Sequence, residues 1–420
     1  MNVKLNINVR LKLIIGLFSI CVYLCSSVVT ISGQGLPLAA PQTVGMLAEK
    51  LNLIDALVEK DINDKKLPGA VVLVGHKGKI VFRSAYGNRA LIPQVEKMTV
   101  DTIFDIASLT KVVATTTSVM ILVERGQIRL SDTIGKFIPE IQDENVKKVT
   151  IQQLLTHTSG FAPDFDLREK WTGRDGMLAA LYKEKLRQPA GTRFVYSDIN
   201  FITLGEIVRR VRQQTFEGFA YFDFFKPLKM DDTKFVNAFL DDKTISQIQD
   251  FSCKPINEPF CISKEQSTRI APTENIKGQQ SYLGGTFDGN DGDQILRGKV
   301  HDPTAYRMGG IAGHAGLFST GDDLARFCQM LLNGGILDGK RILSAQTVAR
   351  MTAPIVVSED GSTRGLGWDI NTAFSSNRGE LFPLGSFGHT GFTGTSIWID
   401  RVSQTFVVFL SNRVHPDGKG

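Results

Sequence analysis

The alternation of apolar and polar positions divides the chain into regions of different character. Leu13–Ile31 is an apolar run preceded by Lys4, Arg10 and Lys12 and followed by Ser32 and Gly33. Leu47, Leu51, Ile54, Leu57 and Val58 recur at helical spacing and predict a helix over 47–62. "GAVVLVGHKGKIVFRSAYG" (69–87) reads as two strands joined by a tight turn at Lys77–Gly78. A buried-type apolar helix starts near Ser108 and stops at Gly126. Further helical patterns follow at 151–156, 176–186, 202–214, 322–332 and 345–351. Residues 251–300 lack periodicity and are rich in Gly, Ser, Asn and Gln, which predicts an insertion or long loop. "GHTGFTGTSIWID" and "TFVVFLSNRV" form a last strand pair around Arg401–Gln404. Strands therefore come from both ends and helices from the middle. The expected fold is α/β (α+β), with one antiparallel sheet assembled from the two termini and a mostly helical region inserted between.

Charge changes this picture at one point. The formal net charge is +5, but Lys4, Arg10 and Lys12 lie in the first 33 residues, where there is no acid. No basic stripe interleaved with aromatics remains, so nucleic-acid binding is not expected. Residues 1–33 have the layout of an export signal. Their apolar run is also long enough for an uncleaved anchor, which would give membrane association through 13–31. Periplasmic or membrane-anchored localisation follows from either. Beyond the leader, Cys253 and Cys261 are candidates for a disulfide in an oxidising compartment, and Cys328 is expected as a buried filler. "DGNDGD" (288–293) has Gly292 and Lys299 where a calcium loop needs ligands, so it reads as a turn. No metal or other cofactor is expected.

Candidate chemistry begins at "FDIASLTKVV" (104–113), where Ser108 and Lys111 share a helix face. A buried lysine tends to lose its proton, and a lysine beside a serine is one route to an activated hydroxyl. Tyr196 in "FVYSDINF" (194–201) is a candidate general base. "GHTG" (388–391) opens a strand that can line a cleft. "HTSG" (157–160) has the same flavour but ends a helix, so His157 reads as a helix C-terminal residue near the dipole's negative end. His314 in "AGHAGLF" is read as satisfying a backbone carbonyl, and His301 and Asp302 as structural.

Taken in order, Ser-x-x-Lys, Tyr-Ser-Asp and His-Thr-Gly resemble the serine penicillin-recognising hydrolases, in the branch of class C β-lactamases, D-Ala-D-Ala carboxypeptidases and related esterases. "LLTHTSG" (154–160), "PAGTRFVYSD" (189–198) and "GGIAGHAGLFSTGDDLARF" (309–327) agree with it. The resemblance implies a β-lactamase/transpeptidase-like domain over 44–420, with sheet parts 44–107 and 363–420 and a helical part 108–362. It implies Ser108 as nucleophile, Lys111 and Tyr196 as proton carriers, and an oxyanion hole from the N–H groups of Ser108 and Phe392. Asp198, His389, Thr390, Gly391 and Phe392 become substrate-binding positions. Two departures matter: His389 stands where Lys is common, and Asp198 where Asn is usual. Both weaken recognition of a substrate carboxylate. The expected activity is an exported serine hydrolase acting on D-alanyl peptides or small esters. The alternatives are a class C-like β-lactamase and a non-catalytic binder of cell-wall peptides. The resemblance also leads one to expect a C-terminal helix over one sheet face, whereas the sequence ends soon after its last strand.

Overall fold

The computed structural model describes residues 35–236, 262–277 and 295–419. Cys253, Cys261, the 288–293 turn and the 13–31 run lie outside the described residues.

The sheet is laid down from both ends of the sequence. Its strands are β1 (Gly69–His76), β2 (Lys79–Ala90), β3 (Glu96–Lys97), β4 (Ile355–Val356), β5 (Thr363–Arg364), β6 (Asp369–Asn371), β7 (Phe387–Gly391), β8 (Thr395–Asp400) and β9 (Thr405–Ser411). They run antiparallel in the order β3-β2-β1-β9-β8-β7-β6-β5-β4. The first long strand thus pairs with the last, from Ala70 opposite Ser411 to His76 opposite Thr405. β1 is buried along its whole length, as its near-continuous apolar sequence requires of a strand covered on both faces. The β1–β2 turn places Lys77 and Gly78 at positive φ, the geometry a two-residue hairpin needs. The strand at 355–356 falls outside the expected sheet segments, because so short an edge strand carries too few residues to show alternation.

On one face lie the buried helices. Leu109 and Thr110 lead into a π-helical turn, Lys111–Thr116, which continues as α-helix to Glu124, with Gly126 at positive φ beyond it. Every residue from Leu109 to Leu122 is buried, the polar Thr110, Lys111, Thr115, Thr116, Thr117 and Ser118 included. The other face is partly covered by the helix Leu53–Asn63, whose Val58 packs with Ala70, Val72 and Tyr86. The predicted 47–62 helix is interrupted at Asn52, and Leu47, Leu53 and Leu57 stay exposed. The helix touches the sheet along one narrow stripe, so the expected apolar face is only partly used. Directly after β9, residues 412–419 form turns. His415 Nε2 accepts the Leu91 N–H at 2.9 Å, and Asn412 donates to the Arg89 and Pro272 carbonyls.

A small three-stranded sheet, Phe104–Asp105, Leu317–Ser319 and Lys234–Phe235, joins the start of the buried helix to the 309–316 loop. This junction holds Ser108.

Candidate active site

The chain bends sharply just before Ser108. Ala107 has φ +45°, a strained conformation for a residue with a side chain. Several bonds hold it there. The Ala107 N–H donates to Asp105 Oδ1 at 2.9 Å, Ile106 N–H to the Leu317 carbonyl at 3.0 Å, and Thr395 Oγ1 to the Ile106 carbonyl at 3.1 Å. β7 approaches so closely that a Cβ on Gly391 would stand 2.5 Å from the Ile106 oxygen. The Gly of "HTG" is therefore required by contact with the segment that presents Ser108.

Lys111 lies one turn on and has no exposed surface. Its Nζ donates to Ser108 Oγ at 2.9 Å and to the His314 carbonyl at 3.0 Å, and lies 2.7 Å from Asp198 Oδ1. Burial opposes its charge, but Asp198 and then Tyr196 outweigh burial and hold its pKa above the usual lysine value. Burial alone would favour loss of the proton, but a carboxylate at ion-pair distance decides the outcome. Asp198 thereby gains a partner that its sequence position does not announce. It opens the helix Asp198–Arg212 and serves as counter-ion to Lys111.

Tyr196 lies with its ring centroid 5.0 Å from Lys111 Nζ. His157 stacks on it at 4.5 Å, and the tilted rings of Phe374 and His389 lie 5.2 Å and 6.0 Å away. His157 is the feature read as a mere helix end. It does follow the short helix Ile151–Leu155 with φ +57°. Its ring, however, is fully buried and accepts the Ser197 N–H at Nδ1, 3.0 Å away. Burial, Arg364 and Lys111 push its pKa well down, so it backs Tyr196 as a neutral ring rather than meeting a dipole as a cation.

His389 is likewise buried, with its pKa driven well down by burial and then by Arg364 and Lys111. Its Nδ1 donates to the Thr390 carbonyl at 2.7 Å, which leaves Nε2 as an acceptor. Thr390 and Gly391 complete the strand end. Phe392 is exposed and stacks on His301 at 5.6 Å, with the Arg413 guanidinium 5.0 Å from its ring.

His314 also differs from its sequence reading. Its Nε2 lies 2.8 Å from Asp302 Oδ1, so its ring meets a carboxylate, while its own carbonyl holds Lys111. Asp302 also caps the helix Pro303–Arg307. A glycine-flanked histidine far along the chain gives no sign of a carboxylate partner, so Asp302 and His314 were missed as part of the site. Asp198, Asp302 and His314 have ligand atoms within 4.8 Å of one another. Lys111 already supplies a cation to Asp198, and His314 Nε2 is engaged by Asp302. Cys328 is buried, and burial pushes its thiol pKa up.

The Beta-lactamase family model matches residues 54–420. An Escherichia coli (strain K12) protein bearing the name "Putative D-alanyl-D-alanine carboxypeptidase" is 30% identical over 404 residues, covering 90% of this chain and 85% of that protein. A β-lactamase/D-alanine carboxypeptidase from Pseudomonas syringae superposes with a TM-score of 0.64 at 17% identity, over 88% of this chain and 95% of that one. A penicillin-binding protein homologue from Caulobacter crescentus gives 0.64 at 19%, over 90% and 94%. At such identities the two structures speak for the fold alone.

Proposed function

The chain belongs to the Beta-lactamase family, and from that premise we propose that it is a serine hydrolase forming an acyl-enzyme on Ser108, with D-alanyl peptides or small esters as substrates. The observation that carries this reading is the threefold hold on Lys111 by Ser108 Oγ, Asp198 and the His314 carbonyl. An ammonium so engaged has no lone pair for the serine proton. Tyr196 is then the acceptor. The step requires Tyr196 as phenolate, paired with the Lys111 ammonium: as Ser108 Oγ bonds to the substrate carbonyl carbon, its proton passes to the phenolate oxygen, giving neutral Tyr196. Among the described residues neither the Ser108 nor the Phe392 N–H is donated to another acceptor, which leaves both for the oxyanion. Collapse breaks the bond to the leaving group, and Tyr196 returns the proton to it. Water then releases the acyl group by the reverse sequence.

The name of the Escherichia coli relative supports D-alanyl peptides. The neutral His389 and the Asp198 carboxylate support small esters, because neither recognises a substrate carboxylate well. We also propose export, on the basic-then-apolar pattern of residues 1–33.

Intact-mass analysis after exposure to a fluorophosphonate or a fluorescent penicillin tests the mechanism. One adduct per chain is expected in the unaltered protein and none in Ser108→Ala. Lys111→Ala should acylate slower by orders of magnitude, since groups acting as a unit lose most of their rate together. Full labelling of Ser108→Ala would sink the mechanism. Absence of any adduct on the unaltered protein would favour the non-catalytic binder.

A further inference from the structure

Behind Lys111 lies a cluster of charged side chains, His314 fully buried and Asp302 partly so, that the acyl-transfer steps do not use. His314 has no exposed surface and lies 2.8 Å from Asp302. The loop carrying it is clamped. Thr115 Oγ1 donates to the Gly313 carbonyl at 2.5 Å, and a Cβ on Gly313 would stand 2.0 Å from the Phe201 carbonyl oxygen. The helix that follows Ser108 and the helix that begins at Asp198 therefore both press on this loop. The His314 carbonyl emerges from it to take Lys111 Nζ at 3.0 Å.

We propose that Asp302 and His314 are positioning residues for Lys111: Asp302 fixes the His314 ring, and His314 in turn fixes the lysine against Ser108. This rests on the acyl-enzyme reading above and assigns a role in acylation to two residues that touch no reacting atom. Charge balance is the physical reason. Asp198 and Asp302 bring two carboxylates beside one ammonium, and an uncompensated buried charge is costly. A protonated His314 supplies the second cation. Burial lowers the His314 pKa, but Asp302 and then Asp198 outweigh it and raise it. Asp302 is held low in turn, with His314 outweighing its burial.

The other groups facing the pair are Lys111, Asp164 and Asp105. Asp164, which accepts from Thr304 at 2.6 Å, is raised to about 7 by burial, Asp302 and Asp198. It adds little negative charge below that pH.

The test is the pH dependence of Ser108 acylation, with stopped-assay kinetics on an aryl ester for kcat and KM. Asp302→Asn keeps an oxygen for the Ala305 N–H but removes the charge that raises His314. Its acylation rate should fall at least tenfold with KM within twofold, and the alkaline limb of the profile should move to lower pH. In His314→Gln the same rate loss is expected, and the limb belonging to the imidazole should vanish. Asp302→Glu, which keeps the charge, should recover part of the rate. A folded variant that keeps the unaltered rate and profile overturns the proposal. So does one that loses rate with an unmoved profile, because that is what a purely structural role predicts. If Asp302→Asn does not fold, His314→Gln and Asp302→Glu decide by the same two criteria. If the unaltered protein gives no adduct on Ser108, it is the acyl-enzyme reading that has failed.

Discussion

At the scale of single residues, the protonation states around Ser108 are set by a few contacts that no local pattern announces. "SLTK" places a lysine one helical turn from a serine, and that much is visible in the sequence. Whether the lysine is charged depends on Asp198, which lies 87 positions further along and 2.7 Å away. The same holds for His389. Its neutrality follows from burial and from two neighbouring cations, Arg364 and Lys111. A direct prediction concerns substrate preference. His389→Lys, with Asp198 kept as the counter-ion to Lys111, should raise kcat/KM for cephalosporins relative to aryl esters by tenfold to a hundredfold, about 1–3 kcal/mol of recovered charge-assisted bonding. Assays of both substrate types on both proteins measure this. Lowering the pH into the usual histidine range should not mimic the change in the unaltered protein, because burial, Arg364 and Lys111 hold the His389 pKa well below that range. If the unaltered enzyme hydrolyses cephalosporins at least as well as aryl esters, the reading of these two positions is wrong and a lactamase becomes the better assignment.

At the scale of elements, most helices and long strands stand near where periodicity puts them, and the exceptions have local causes. The helix predicted from Ile202 begins at Asp198. Ser197 occupies the N-cap, but its hydroxyl donates to the Ala162 carbonyl instead of capping, so the usual start signal is spent elsewhere. The same helix carries Glu206, buried and bonded by Arg174, Arg209 and Arg210. This helix is tied to its neighbours by charge as well as by apolar contact. A second element-level dependence is the meeting of β7 with the segment before Ser108. Gly391→Ala should push Ala107 and Ile106 away, because the new methyl would lie 2.5 Å from the Ile106 oxygen and 2.2 Å from Thr395 Oγ1. Overpacking of this kind costs about 1–3 kcal/mol. A lower melting temperature and at least tenfold slower Ser108 acylation are expected. An unaltered melting curve with normal acylation would show that the strand end has room to move.

At the scale of the whole molecule, buried carboxylates of opposite habit shape the response to pH. Burial works against the Glu206 charge, but three arginines outweigh it and bring the pKa down to about 2 from 4.5. Its contribution is present above pH 4.5 and is lost as pH falls toward 2, on the order of 2–3 kcal/mol. Asp323 behaves the other way. It is fully buried on the helix Gly321–Leu332, and burial raises it to about 8. Its unfolded form ionises above pH 3.8 while its folded form does not, so stability falls as pH rises from 4 to 8. Asp323→Asn keeps the acceptor for Thr233 Oγ1 and the Asp232 N–H. Its melting temperature should therefore depend less on pH between 5 and 8 than that of the unaltered protein. Parallel slopes in the two proteins would remove Asp323 from this account.

The division between what was legible and what was not follows the range of the forces involved. Apolar periodicity reports local backbone geometry, so the strands at both ends, the helices between them and the large antiparallel sheet were determined by the sequence itself. Ser108 and Lys111 were legible for the same reason, since they are neighbours on one helical turn. The "HTG" motif could be quoted, but only the packed structure shows that Gly391 touches Ile106. His157 was set aside because its local context is a helix end, yet in space its ring lies against Tyr196. Asp302 and His314 were missed because they act on Lys111 across about 200 positions of chain. Electrostatic effects of this kind depend on distance, burial and the company of other charges. Those quantities exist only once the chain is folded, so the tertiary structure alone decided which groups carry charge beside Ser108.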